Sequence, residues 1–186
     1  MPAIVYIHEA GHMVIGNAIG ITEQGVAFAG VKPGEAAQSW YSKIDHELTV
    51  KRSLAGLLAQ IKILPDSIEG KLLEAYHTSI VFDEAHPADG SISSEDKEFL
   101  SGARDDLQIA RSNAAAIVGG KPAEVVKYLR RIESEVRDLV DTKAGDICAV
   151  AADMEDWHKS ENPEENPMML YSPGRMLNVL TQDDSR

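Results

Sequence analysis

Cysteine occurs once in these 186 residues, as Cys148. No disulfide can form within the segment, and a reducing, cytoplasmic setting is expected. Cys148 reads as buried filler rather than as a nucleophile. Aromatics are scarce at 5%, so a core must rest on Leu, Ile, Val and Ala; the hydrophobic share of 44% is enough for one. Positive charge is also short. Eighteen Lys and Arg stand against 30 Asp and Glu, giving a formal net charge of -12. Nucleic acid and anionic membrane surfaces both need a basic patch, so neither is expected as a partner. Solubility alone accounts for the acidity. No apolar run reaches membrane-spanning length, so no membrane insertion is expected. The apolar N-terminal stretch lacks a basic start and is broken by His8, Glu9 and His12, unlike a secretory signal.

What is present is mostly helical pattern. Residues 3–19 read as a helix stopped by Gly20. Residues 25–31 and 38–42 read as short strands around a Lys32-Pro33-Gly34 turn. Helices are expected over 49–64 and 67–81, then a loop over 83–94 with Ser94 as a helix cap. A further helix follows Gly102 to about Val118. Gly119-Gly120-Lys121-Pro122 then stops one helix and starts another. A charged amphipathic helix is expected over 123–142, with another over 147–157. An acidic, proline-bearing loop follows over 161–167, and 168–180 docks back through its apolar residues. The expected fold is α+β and predominantly helical. A zincin-like metal-bearing helix lies beside a small β-sheet, followed by a helical bundle. Residues 1–120 read as a peptidase-like core and 121–186 as a helical part packed on it.

The chemistry concentrates in His8-Glu9-Ala10-Gly11-His12. Histidines four apart on a helix share one face, so both rings can reach one metal ion. A glutamate after the first histidine can take a proton from a water that the metal acidifies. At about 100° per residue, Ile4, Val5, Ile15 and Ile19 cluster around the direction of His8 and His12. The histidines therefore lie within an apolar stripe, with Glu9 on its flank. Gly11 lies on the same side and would admit another element closely.

A catalytic zinc takes three protein ligands and leaves one position open. The best source of the third is Ser101-Gly102-Ala103-Arg104-Asp105-Asp106-Leu107. Ala103, Leu107, Ala110, Ala114, Ile117 and Val118 form that helix's apolar stripe. Asp106 lies roughly 70° from its centre and Asp105 roughly 170° away. Asp106 can turn inward while Asp105 faces water. An aspartate near a helix start also has a plainer role, a favourable interaction with the helix dipole.

Residues 6–12 resemble the zinc-binding segment of the FtsH-type ATP-dependent zinc metalloproteases, where H-E-A-G-H is usual. Residues 101–107 are similar to the family's later T-G-A-x-N-D-L segment, whose aspartate is the third zinc ligand. Leu54-Ala55-Gly56-Leu57-Leu58-Ala59-Gln60 resembles a degraded L-G-G-R-A-A-E helix between them, with Gln60 in place of the acidic residue. The resemblance spans about residues 3–140 and is firmest at the two metal segments. It implies Zn2+ held by His8, His12 and Asp106, with Glu9 as catalytic base. It implies hydrolysis of peptide bonds; with no unfolding motor in this sequence, the expected substrate is an unfolded or extended peptide. The family's AAA+ ATPase module is not in this sequence, so the activity is expected to be ATP-independent on its own. A separate ATPase partner and a homo-oligomer both remain open. The spacing between His12 and Asp106 exceeds the family's usual one, with the excess assigned to 66–94.

His46, His77, His86 and His158 are set aside. His46 reads as a surface turn, His77 as structural, and His86 and His158 as solvated. Tyr41 and Tyr76 are not promoted as oxyanion donors. Two other classes stand beside the peptidase. One is a catalytically inactive, metal-binding relative acting as a structural or regulatory module. The other is an acidic helical interaction module in which the metal site is incidental.

Overall fold

The apolar N-terminal segment folds as a helix buried on every side. A computed structural model describes residues 3–29, 36–42, 45–65, 68–82, 101–161 and 168–183. In chain order the elements are α1 (Ile4–Ala18), β1 (Gln24–Ala29), β2 (Ala36–Tyr41), α2 (His46–Ile63), α3 (Ile68–Phe82), α4 (Ser101–Val118), α5 (Pro122–Ser160), β3 (Met168–Tyr171) and α6 (Pro173–Asp183). The fold is mostly helical with one small antiparallel sheet. None of the helices is long and apolar enough to cross a membrane, among the described residues.

Every residue of α1 from Tyr6 to Gly16 is buried. The sequence led us to expect one apolar stripe. The difference arises because α2, α5 and the sheet pack around different sides of the helix. The rest of the core comes from the inward faces of α2, α4 and α5, including Leu54, Leu58, Leu107, Ala110, Leu129 and Val136. Asp45 caps α2, its side chain accepting the Leu48 N–H at 2.8 Å. The helix thus starts a turn earlier than its apolar pattern suggests.

The sheet has strand order β2-β1-β3. β1 pairs with β2 in the register Gln24↔Tyr41 to Ala29↔Ala36, and with β3 from Val26↔Tyr171 to Ala29↔Met168. Val26 and Phe28 point into the core from the central strand. Buried Gln24 donates to the Met13 carbonyl at 2.7 Å, tying the sheet to α1. β3 is a strand that the sequence did not reveal; residues 168–180 fold as this strand followed by α6 and dock back through Met169, Tyr171 and Met176, while Leu170 and Leu177, also expected to dock, are exposed.

The two helices expected over 123–142 and 147–157 are one helix of 39 residues. The break does not occur because the inward stripe runs through it, from Val136 and Val140 to Ile147, Val150, Met154 and His158. Lys143 and Asp146 also pair across it at 2.9 Å. Near its end Asp153 accepts from Tyr171 at 2.7 Å and from both Nε and Nη2 of Arg175. That cluster fastens β3 and α6 to α5. The turn at 32–34, the loop at 83–94, the Ser94 cap, His86 and the acidic loop over 162–167 lie outside the described residues.

Candidate metal centre

One turn of α1 separates His8 from His12, and their Nε2 atoms lie 3.0 Å apart. From α4, Asp106 brings Oδ2 to 3.0 Å from His8 Nε2 and 2.9 Å from His12 Nε2. Asp105 beside it is exposed. Among the described residues, His8, His12 and Asp106 form the group of side chains close enough to share a metal ion.

The far side of each ring fixes its tautomer. The His12 Nδ1–H donates to the Arg52 carbonyl at 2.8 Å, and a carbonyl can only accept. Gln60 Nε2 donates to the Ile4 carbonyl at 3.2 Å, which turns its oxygen toward His8. The His8 Nδ1–H then donates to that oxygen at 3.1 Å. Both Nε2 atoms of the neutral rings therefore carry lone pairs aimed at a carboxylate oxygen. Three acceptors about 3 Å apart repel unless a cation or a proton sits among them. The spacing suits an ion: tetrahedral zinc with bonds of about 2.0–2.1 Å sets its ligand atoms about 3.3 Å apart.

Without an ion, a proton takes the place. Burial works against a charged His8, but Asp106 and Glu9, with Gln60, outweigh it and push the ring up to about 9. Burial likewise works to raise the Asp106 carboxyl. His12 and His8 outweigh it and hold the carboxyl well below the usual carboxylate range.

Close helix packing makes room for this group. A Cβ on Gly56 would lie 2.6 Å from His12 Nε2 and 2.8 Å from His8 Cε1. A Cβ on Gly11 would lie 2.7 Å from the Ala59 Cβ and 2.9 Å from the Ala55 carbonyl. The two glycines let α1 and α2 approach until the rings of one lie on the backbone of the other. Glu9 is buried next to His8, and its Oε2 has no hydrogen-bond partner.

Arg52 was not singled out from the sequence. It is 2% exposed, its guanidinium stacks 4.2 Å from the Tyr41 ring centre, and its Nε and Nη2 have no partner. Burial pulls its pKa down, against the charges of Asp106, Tyr41 and Glu9. The local sequence does not mark it, since Lys51 and Ser53 flank it and its burial comes from the packing of α2.

Three of the residues set aside stand as follows. His46 begins α2 and bonds Asn113 at 2.6 Å. His77 is buried and bonds Glu133 at 2.9 Å. His158 corrects the expectation of a solvated ring: it is 1% exposed, bonded to the Tyr6 hydroxyl at 2.8 Å and stacked on Phe28. The inward stripe of α5 extends further than the acidic residues around it suggest. Cys148 is half-buried, and burial pushes its thiol up, away from the reactive thiolate. Comparison with protein-family models, curated proteins and solved structures gives no match to this chain.

Proposed function

We propose that this chain is a zinc-dependent metallopeptidase of FtsH-like type. Its metal helix is zincin-like, and it cleaves unfolded or extended peptides without ATP of its own. The supporting observation is the convergence of two imidazole lone pairs and one carboxylate oxygen, with each Nδ1–H already engaged. Two imidazoles and a carboxylate, with a further position free for water, form a donor set suited to zinc. Zinc held there supplies Lewis acidity, which acidifies a water and polarises a peptide carbonyl.

The remaining chemistry belongs to the chain. His8, His12 and Asp106 hold the ion. Arg52 through its carbonyl, and Gln60 through its amide, keep the two rings aimed. Glu9 offers a buried carboxylate oxygen that no protein donor occupies. It takes the proton of the attacking water and returns it to the leaving amine. A purely structural site has no use for such a group.

Glu9→Gln tests this directly. The variant should retain its zinc while hydrolysis of casein or an unstructured peptide falls roughly 10²- to 10⁴-fold. Undiminished cleavage contradicts the proposal. Zinc without cleavage in the unaltered protein would move the site to a structural or regulatory role.

A further inference from the structure

Arg52 is a buried cation with two nitrogens that the fold leaves without a hydrogen-bond partner. The two unpartnered nitrogens are Nε and Nη2. Their N–H bonds run parallel along one edge of the guanidinium, the fork that binds both oxygens of a carboxylate. Glu9 and Asp106 act on Arg52 through their charge, but neither hydrogen-bonds to it. The residue also belongs to the metal centre by position. Its carbonyl holds His12, and Gly56, one turn further along α2, lies against both histidine rings.

We infer that Arg52 is the receptor for a substrate carboxylate beside the bond to be cut. The inference rests on the peptidase reading and names its substrate class: peptides with a carboxylate next to the scissile bond. Charge points the same way. A divalent ion and one guanidinium, set against two carboxylates, leave the loaded site with one positive charge, which a substrate carboxylate cancels. Because Nε and Nη2 are out of contact with water, a carboxylate reaching them gains a desolvated, bidentate pairing. Tyr41, half-buried on the edge strand β2, lies against the face of the guanidinium. The carboxylate can be the peptide's own C-terminus or the side chain of an acidic residue.

The test uses the zinc-loaded full chain and matched peptides. One pair ends in a free acid or an amide; a second carries Glu or Gln at one internal position. We expect the charged member of one pair to be cleaved roughly 10- to 100-fold better, mainly through KM, which also identifies the source. Arg52→Met should abolish the preference, and Arg52→Lys, which keeps charge without the fork, should lose most of it. Equal cleavage within both pairs by the unaltered protein overturns the inference, as does a preference that survives Arg52→Met. Cleavage of no peptide overturns the peptidase reading instead. Calorimetry then decides the carboxylate inference alone: N-acetylglycine should bind the zinc-loaded protein more tightly than N-acetylglycinamide, and the difference should vanish in Arg52→Met. Equal binding, or a difference that persists in the variant, overturns it.

Discussion

A histidine meets a metal through one nitrogen, and the partner of the other nitrogen decides which one is free. Here the partners are the Arg52 carbonyl and the Gln60 amide oxygen. Gln60 stands where the motif it resembles carries an acid, and it bonds the His8 ring while held by its own bond to Ile4. Replacing Gln60 with Leu should weaken zinc binding about 10- to 100-fold, measured by competition with a chromogenic chelator. Unchanged affinity would mean that His8 needs no such support. Protons compete for the same atoms. His8 is raised from 6.5 to about 9, so its proton stabilises the metal-free fold fully below pH 6.5. That contribution is lost as pH rises through 9. An incoming ion must displace this proton, so zinc affinity should climb by up to tenfold per pH unit and level off near 9. Affinity independent of pH between about 7 and 9 would contradict this proton competition. The ligands could be read from sequence because their spacing encodes their geometry. Their supports could not, since one is a backbone carbonyl and the other lies 52 residues from His8.

Between elements, the decisive contact is that of α1 with α2. Gly56→Ala places a carbon 2.6 Å from a metal-facing nitrogen, so the helices or the rings must shift. We expect the variant to keep its helical circular dichroism, to lose about 1–3 kcal/mol of stability and to lose its zinc. Full zinc occupancy in Gly56→Ala would show that the packing is looser than described. Sequence patterns revealed α1, α2 and α4 because each carries an apolar periodicity with a clear stop or start. β3 stayed hidden because its four residues become a strand only by pairing with β1. The long α5 was read as two pieces because the Lys143-Ala144-Gly145 stretch looks like an interruption in the sequence. Its inward positions show that it is not one.

At the scale of the whole molecule, the metal group joins distant parts of the chain. Asp106 lies 94 residues from His12, and α5 backs α1 and α2. The bond between Tyr6 and His158 ties α1 to the C-terminal part of α5. An ion shared by α1 and α4 would add one more long-range tie. The most direct measurement is zinc stoichiometry, determined together with peptide hydrolysis, for the unaltered protein and Asp106→Ala. Thermal unfolding of both metal-free proteins serves as the folding control. The account predicts one zinc per chain and cleavage for the first, and loss of both for a still-folded Asp106→Ala. Full zinc and full cleavage without Asp106, or no zinc in the unaltered protein, would contradict it.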